Sequence, residues 1–473
     1  MQVVISTPIV FLIAALVMLR GPYVGLTVLL AMLPFGMMAA FNLPAVGGMS
    51  ITSTDIILLT TFLLVVLRRN LAQDLAAVFA RRSMALTLLL LLLYATLASL
   101  FLPRVYAGET IVFNLSRLAN EDGFVAIPLE ASNANLSQLF RLSLGMCAFL
   151  VAAIVIRRYP NPDYILRGVK WATVVHVTLG VIDVVSANAG MAWIMSPFRT
   201  ANYALTLGQE MAGVRRMIGG FPEASTYGYF ALGLFGFWLS HFMSARGQND
   251  RSSDIWLALA TFALVRCTSS SAYVGAAGFV MVYAILQMRT SGVGINRAAM
   301  GILLTIVAAV PVVIATAYLS YQMVPSVQFF IDRSLLDKLG SDSGVERMNL
   351  NFQALRNFID THMLGAGLGS VRASNWVAAA LGSIGLPGTI IILFFYYRLF
   401  SAKPALADVK TQVVTLALKM GCLAFIMRSL VVHGTPNMGV LFYIMAGCVA
   451  GFVAASVRVP RQRRTARMSS VSA

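Results

Sequence analysis

Long apolar runs alternate with short polar, Arg-rich or Gly/Pro-rich breaks along almost the whole chain. A helix needs about 20 apolar residues to cross the hydrocarbon core of a bilayer, which is roughly 30 Å thick. Runs of this kind predict about 12 to 13 membrane spans, the lower number applying if the two short passes around Arg266 form one. The predicted spans are Val3–Leu19, Pro22–Phe41, Ile51–Leu67, Met84–Leu102, Gln138–Ile156, Val169–Ala187, Ala224–Phe242, Ile255–Cys267, Ala272–Gln287, Ala298–Leu319, Trp376–Tyr397, Val413–Leu430 and Met438–Ser456.

Composition supports a membrane assignment for the whole chain. Of the 473 residues, 59% are hydrophobic and only 11% are charged, whereas charged residues make up about 25% of a soluble domain. The predicted fold is therefore an all-α polytopic membrane protein, with residues 1–473 forming a single integral membrane domain. A large outward-facing loop between residues 321 and 375, containing short amphipathic helices, is its longest polar break.

The distribution of Lys and Arg predicts the orientation, because short loops rich in these residues stay in the cytoplasm. Six segments, which we assign to the cytoplasm, together hold 20 basic and five acidic residues: 68–82, 157–170, 244–254, 289–297, 398–410 and the basic tail 458–473. The segments 103–141, 189–223 and 321–375 are balanced in charge and are assigned to the outside, as is the N-terminus. The net charge of +17 is thus mainly a topology signal with some attraction to anionic lipids, and no nucleic-acid partner is expected.

Cysteine and histidine give no sign of a metal or cofactor site. The four Cys residues fall in or at apolar spans, and the four His residues are scattered without ligand spacing. No glycine motif joins a strand to a helix in the manner of a nucleotide-binding fold. No cofactor and no metal are therefore expected.

The outer segment 213–228 places Arg215, Arg216 and Glu223 immediately before a predicted span. One interpretation is structural: interfacial arginines, with Glu223 in the first helical turn, where the helix dipole favours a negative charge. The other is a cationic site at the membrane surface that holds a phosphate or diphosphate through guanidinium hydrogen bonds.

The segment 321–375 is charged but locally balanced. The residues from Arg347 to Ile359 have the composition of an amphipathic helix lying on the outer leaflet. Gly365-Ala-Gly-Leu-Gly369 predicts a flexible turn, whose backbone amides are also able to cradle an anion. Solvated surface ion pairs are the structural alternative for the charges of this segment.

Five charged residues fall within the apolar spans or at their ends, where an ionic side chain is costly unless it faces the bundle interior or an interface. Two interpretations stay open: these residues line an outward-facing substrate groove, or they pair and hold helices together. The five are Asp55, Asp183, Arg266, Lys419 and Arg428.

Several of these segments, in this order along the chain, resemble the O-antigen polymerase and O-antigen ligase superfamily of bacterial envelope proteins. The similar motifs are Arg216-Met-Ile-Gly-Gly-Phe-Pro-Glu-Ala-Ser225, Thr268-Ser-Ser-Ser-Ala-Tyr273, Arg347 with the turn Gly365 to Gly369, Ser374-Asn375, and Gly385-Leu-Pro-Gly388. The resemblance covers roughly residues 210 to 400. It departs at Ser374, where the ligases commonly carry a His.

The resemblance implies transfer of a glycan, at the periplasmic face of the bacterial inner membrane, from a polyprenyl-diphosphate carrier to an acceptor hydroxyl. Cations would hold the departing diphosphate; the candidates are Arg215, Arg216, Arg347 and Arg372, with Asn375 as a further substrate-binding residue. Glu223, Glu346 and His362 are the candidates for a proton acceptor. Expected partners are polyprenyl-diphosphate-linked oligosaccharides, membrane lipids, a flippase and a chain-length regulator.

Three other functions compete with a polymerase of exopolysaccharide or O-antigen repeat units. The first is an O-antigen ligase that transfers glycan to lipid A core, which Ser374 disfavours. The second is a secondary transporter or flippase, which would explain many helices and buried charges but typically shows internal repeats that this chain lacks. The third is a cell-wall glycan polymerase of the shape, elongation and division type, whose motifs are not found.

Overall fold

A computed structural model describes residues 1–44, 48–80, 83–115, 124–202, 210–211, 214–245, 252–289, 342–405 and 408–456, with short pieces between 301 and 328. The chain is an all-α polytopic membrane protein. Six of the described helices are long and apolar enough to cross a membrane, and four shorter helices are also apolar. The predicted span Ala298–Leu319 lies almost entirely outside the described residues, and the predicted tail 458–473 lies wholly outside them.

The helices follow the predicted spans closely. They are α1 (Thr7–Arg20), α2 (Pro22–Met32), α3 (Ser53–Val66), α4 (Leu71–Val78), α5 (Met84–Val105), α6 (Asn133–Arg158), α7 (Pro162–Asn188), α8 (Ala224–Ala245), α9 (Ser252–Arg266), α10 (Ser270–Arg289), α11 (Asp342–Asp360), α12 (Trp376–Ser401), α13 (Val409–Val431) and α14 (Val440–Ser456). Around Arg266, α9 and α10 are separate helices joined at Thr268, which has a left-handed φ of 46°. Helix α10 is among the six that are long and apolar enough to cross a membrane, whereas α9 is not.

The predicted span Pro22–Phe41 is too long. Helix α2 ends at Met32 and, at 11 residues, extends about 16 Å. Beyond it the chain turns and forms an antiparallel sheet of β1 (Gln2–Val3), β2 (Ala39–Leu43) and β3 (Met49–Thr52). These strands were not predicted, because each is too short to show a clear alternation of apolar and polar residues.

Further short strands lie in the polar segments assigned to the outside. They are β4 (Ile111–Leu115) with β5 (Phe124–Pro128), and β6 (Glu210–Met211) with β7 (Val214–Arg215). The pairing of β1 with β2 places the N-terminus at the same end of the bundle as residues 39–52. We call the end that carries these strands and the segments 103–141, 189–223 and 342–375 the outer end.

The core is formed where α6 packs along α14 and α8 packs along α13. Gly447 and Gly451 of α14 face α6 closely: a Cβ at Gly447 would lie 2.4 Å from the carbonyl oxygen of Phe149, and one at Gly451 would lie 2.7 Å from that of Ala153. Small residues four apart thus let two helices approach, as is common in membranes. This packing fixes the outer ends of four helices relative to one another.

Helix α12 is broken near its middle. Gly385 has φ 61° and ψ −167°, and Pro387 follows two residues later. The predicted turn Gly365 to Gly369 fills the break: the amides of Ala366 and Gly367 donate to the carbonyls of Gly382 and Ser383, at 2.8 and 2.9 Å. The backbone groups released by the kink are therefore satisfied by the turn.

Candidate functional site

The outer ends of α3, α6, α8, α13 and α14 surround a cavity of about 420 Å³, here called the first cavity. Most of its wall is apolar, including Leu33, Phe221, Phe230, Phe425 and Val440. The polar part of the wall is formed by Thr52, Thr54, Asp55, Arg141, Thr226, Tyr229, His433 and Asn437. A cavity with an apolar wall and a few convergent polar groups is typical of a ligand site.

An ion pair forms one side of this cavity. Arg141 of α6 donates from Nη1 to both carboxylate oxygens of Asp55, at 3.0 and 2.8 Å, and from Nη2 to the carbonyl of Ser50 at 2.9 Å. Asp55 also accepts from the amide of Thr52 at 2.8 Å, as part of the capping box that begins α3. Asp55 is therefore paired with Arg141, and both members of this ion pair line the first cavity.

A second cation, Arg428, lies buried at the outer end of α13. Nη1 donates to the carbonyl of Val432, and Nη2 donates to the carbonyl of Ser225 at 3.2 Å. The guanidinium carbon lies 5.1 Å from the centre of the Tyr229 ring. Its Nε is buried and finds no hydrogen-bond partner among the described residues. One donor of this buried cation is therefore unsatisfied within the described part of the chain.

Arg428 brings together residues from three distant parts of the sequence. It lies within electrostatic range of Glu223 and of Arg347, and Cys267 lies within such range of both Arg428 and Arg216. Glu223 is exposed just before α8 and accepts from the hydroxyls of Ser225 and Thr226, the latter at 3.2 Å. We call Arg216, Glu223, Arg347 and Arg428 the arginine cluster.

The segment that carries Arg216 is held by a buried ion pair. Asp183 of α7 accepts from the amides of Ile218 and Gly219 at 3.0 and 3.1 Å, and from Nη2 of Arg199. Arg199 in turn donates to the carbonyl of Gly219. For Asp183, pairing that holds elements together is the interpretation that the structure supports.

The other buried charge predicted deep in a span, Lys419, lies away from this site. Its Nζ donates to the carbonyls of Phe400, at 3.1 Å, and of Ala402, at the C-terminal end of α12. This is the end opposite to the outer cavity. Lys419 satisfies helix-terminal carbonyls and complements the dipole of α12.

His433 lies in the loop between α13 and α14. Its amide donates to the carbonyl of Ser374 at 2.8 Å, and its ring lies 5.2 Å from that of Tyr229. Burial, with a contribution from the charge of Arg428, lowers the pKa of His433 to about 4. Nε2 donates to the carbonyl of Asn437 at 2.8 Å. The ring is therefore neutral at pH 7, with the lone pair on Nδ1.

None of the predicted site residues is among those that line the first cavity, Arg216, Glu223 and Arg347 included. Arg215 lies in β7 opposite Glu210 of β6, where the two side chains are cross-strand neighbours. Glu346 is exposed on α11, and His362 is exposed after the end of α11, with its ring 5.9 Å from that of Tyr106. Neither Glu346 nor His362 is among the residues that line the first cavity.

Two predicted ligands have other local contacts. Asn375 caps α12, since its side chain accepts from the amide of Ala378 at 2.9 Å. Arg372 lies over the ring of Phe124, with its guanidinium carbon 5.6 Å from the ring centre. Arg372 lines two further outer cavities and does not line the first.

The interpretation of the turn Gly365 to Gly369 as an anion cradle is wrong. Besides the amides of Ala366 and Gly367, the amide of Gly365 donates to the hydroxyl of Thr361 at 3.1 Å, and that of Leu368 donates to the hydroxyl of Ser99 at 3.2 Å. Four consecutive amides are thus engaged within the protein. Of the five amides in the turn, only that of Gly369 has no hydrogen bond among the described residues, and a single amide does not make an anion cradle.

Together the fold and the site define a polytopic membrane protein with a partly apolar cavity at one end of the bundle, beside the arginine cluster. No protein-family model matches the chain, and no curated protein matches it. In the described part of the chain, no three His, Cys, Asp or Glu side chains converge in a way that could hold a metal ion.

Proposed function

We propose that the protein transfers a glycan from a polyprenyl-diphosphate carrier to an acceptor hydroxyl, polymerising oligosaccharide repeat units into exopolysaccharide or O-antigen at the periplasmic face of the inner membrane. The observation that carries the proposal is the arginine cluster. Arg347 lies within electrostatic range of Arg428, and Arg216 and Arg428 both lie within such range of Cys267, at the outer end of an otherwise apolar bundle. Such an arrangement is costly unless an anion is bound there for part of the working cycle.

The site suits an amphipathic donor. The apolar wall of the first cavity matches isoprenoid, while the adjacent guanidinium groups match a diphosphate. In the reaction, the acceptor oxygen attacks the anomeric carbon and the bond from that carbon to the phosphate oxygen breaks. Negative charge grows on the departing diphosphate, and the arginine cluster stabilises it.

The proton of the acceptor hydroxyl must pass to a base. His433 is neutral and presents Nδ1 as an acceptor, while Glu223 lies within the arginine cluster itself. Oε1 of Glu223 already accepts from the hydroxyls of Ser225 and Thr226. We therefore assign the proton to His433 and give Glu223 the role of holding Ser225, whose carbonyl accepts from Nη2 of Arg428.

A ligase that transfers glycan to lipid A core is the second candidate, and one observation favours it. The family resemblance places a His in ligases where this chain has Ser374, yet the backbone of His433 is hydrogen-bonded to Ser374. An imidazole is thus supplied close to that position from a different part of the chain. The argument from Ser374 against a ligase loses weight for this reason.

The break in α12 gives less support to a transporter. Discontinuous helices in transporters expose backbone groups to a substrate or ion. Here the amides of the turn Gly365 to Gly369 occupy the carbonyls of Gly382 and Ser383. The carbonyls at the break are therefore bonded within the protein and are not exposed to a substrate or ion, so the break does not favour a transporter.

The test is deletion of the gene in its host, complemented with the wild type or with Arg216→Ala, followed by gel analysis of lipid-linked and surface glycans. Loss of long polymer with single repeat units retained on lipid or core supports a polymerase. Long polymer that accumulates on the polyprenyl carrier supports a ligase. An unchanged glycan profile on deletion, or normal long polymer with a properly inserted Arg216→Ala variant, would contradict the proposed site.

A further inference from the structure

A second cavity, of about 490 Å³, adjoins the first at the outer end. The two share Arg141 as a wall residue, and the loop from His433 to Asn437 contributes to both. The wall of the second cavity is more polar than that of the first, and six of its residues carry amides or hydroxyls: Asn133, Ser137, Gln138, Asn202, Ser383 and Thr435. Its charged wall residues are Arg141 and Arg372.

A third cavity, of about 650 Å³, continues from the second. Asn133, Ala134 and Arg372 line both. The third cavity adds Ser132 and one charge of each sign, Arg104 and Glu130. Each of the two volumes falls in the range of about 300 to 1,000 Å³ that is usual for small-molecule sites. We call the second and third cavities together the polar trough.

Several polar groups of the trough have unused hydrogen-bonding capacity. Within the described part of the chain, no hydrogen bond involves the side chains of Ser137 or Gln138, and no acceptor faces the guanidinium of Arg372. Burial lowers the pKa of Arg372. A guanidinium carries five donors, so a partly buried one that contacts only the face of Phe124 leaves most of them without a partner.

We propose that the polar trough binds the oligosaccharide of the substrate, as a chain of hydroxyl-bearing sugars with Arg372 donating to it where the two cavities meet. Sugar hydroxyls both donate and accept, which matches a wall of amides and hydroxyls better than a wall of charges. The assignment of this occupant rests on the proposed function. The shared Arg141 then places one end of the oligosaccharide beside the first cavity, where the carrier diphosphate would lie.

The assignment removes Arg372 from the diphosphate site and gives it a role in glycan recognition. It also explains why Arg372 lies apart from the first cavity although the sequence places it near Arg347. The start of helix α6 and the turn Gly365 to Gly369 both line the second cavity, and Asn135 of α6 donates to the carbonyl of Leu368 at 2.7 Å. Both are fixed by packing and backbone hydrogen bonds, as a preorganised binding site requires.

The experiment measures binding without turnover. The full chain is purified in detergent and titrated, by saturation-transfer NMR, with oligosaccharides released by mild acid from the lipid-linked glycan of the host. The wild type is expected to bind saturably, and Arg372→Gln to bind at least about tenfold more weakly, because a charge-assisted hydrogen bond is lost. Arg398→Gln is the matched control, since Arg398 also lies over a phenylalanine ring, 4.9 Å from the centre of Phe394, at the opposite end of α12.

The outcomes separate this inference from the proposed function. Absence of saturable binding to the wild type, or equal affinity of Arg372→Gln and the wild type, overturns the glycan site even if gene deletion abolishes polymer. Saturable binding that Arg372→Gln weakens and Arg398→Gln does not supports it. If binding behaves in this way but deletion leaves the glycan profile unchanged, the trough is a glycan site and the proposed transferase function fails.

Discussion

Arg428 shows how one side chain organises the candidate site. It lies in an apolar helix, where an unpaired guanidinium is costly, and it has no carboxylate in direct contact among the described residues. Instead it contacts two carbonyls and the Tyr229 ring. These neutral partners hold the guanidinium in place without cancelling its charge. The positive charge of Arg428 can therefore attract a substrate anion. The charge of Arg141 is instead compensated by Asp55.

Arg347 offers the sharpest test of the arginine cluster by mutation. It is exposed on α11 yet lies within electrostatic range of Arg428, whereas Arg356 is exposed farther along the same helix. We expect Arg347→Ala to reduce long polymer at least about tenfold, as loss of one charged contact in the transition state does. Arg356→Ala should leave polymer length and yield unchanged, as read on a glycan gel from matched membrane amounts. Equal effects of both variants would place Arg347 outside the site.

His433 leads to a pH prediction. Because burial lowers its pKa to about 4, the ring stays neutral and able to accept a proton throughout the range from pH 5 to pH 8. Transfer by purified protein should therefore show no acid limb near 6.5, the ordinary pKa of His. Activity should fall only as the pH approaches about 4.

The control for that profile is His433→Gln, which keeps a side-chain donor for the carbonyl of Asn437 but supplies no base. We expect activity to drop by about 10²-fold or more, the usual contribution of a general base. A wild-type limb at pH 6.5, or wild-type rates in His433→Gln, would show that His433 is not the proton acceptor.

At the residue scale, the sequence predicted candidate site residues where a charged side chain lies beside or within an apolar span. Arg216, Glu223 and Arg347 were predicted from polar segments, and Arg428 was noted as a costly charge in a span. His433 was not selected, because a single His in a short loop has no pattern. Its significance comes from contact with Ser374, 59 positions earlier in the printed sequence, and from the burial that no local pattern reveals.

At the scale of elements, spans were predictable because a bilayer imposes length and hydrophobicity on each helix. The short strands were not, because each is too short to show a clear alternation of apolar and polar residues, and the early end of α2 was not either. The break in α12 was partly visible as Gly385 and Pro387. That the turn Gly365 to Gly369 fills it depends on tertiary contacts, and the sequence could not show it.

A substitution at Gly385 would test whether the packing of the turn Gly365 to Gly369 into the break of α12 stabilises the protein. Its φ is 61°, and a Cβ there would lie 2.3 Å from the carbonyl oxygen of Met363 and from the carbonyl carbon of Leu364. Gly385→Ala should destabilise the protein by more than about 2 kcal/mol, through backbone strain and the clash together. Thermal unfolding in detergent would show this as a lowered Tm.

Gly278 of α10 provides the matched control for this substitution. A Cβ at Gly278 meets nothing within 4 Å, and alanine is the better helix former. Gly278→Ala should therefore keep or slightly raise the Tm. A Gly385→Ala variant as stable as the wild type would mean that the break of α12 relaxes at little cost.

At the scale of the whole molecule, the two ends of the bundle differ in the arrangement of their charged residues. The outer end carries the three cavities and the arginine cluster. At the opposite end, Asp74 of α4 pairs with Arg157 and Arg158 at the end of α6, which leaves a compact ionic contact with no cavity described beside it. The surplus of basic residues in the loops at that end predicts that it faces the cytoplasm.

This orientation is open to direct measurement. Alkaline phosphatase inserted after Gly108 or Gly190, which lie in turns at the outer end, should be active, because the enzyme folds only outside the cytoplasm. Fusions after Asn70 or Asn161 should instead support fluorescence of a cytoplasmic reporter protein. The helices between these positions run alternately in opposite directions, so the four results must agree with one another. The reverse pattern would place the arginine cluster in the cytoplasm, where a lipid-linked donor presented at the outer face could not reach it, and the proposed reaction would fail with the topology.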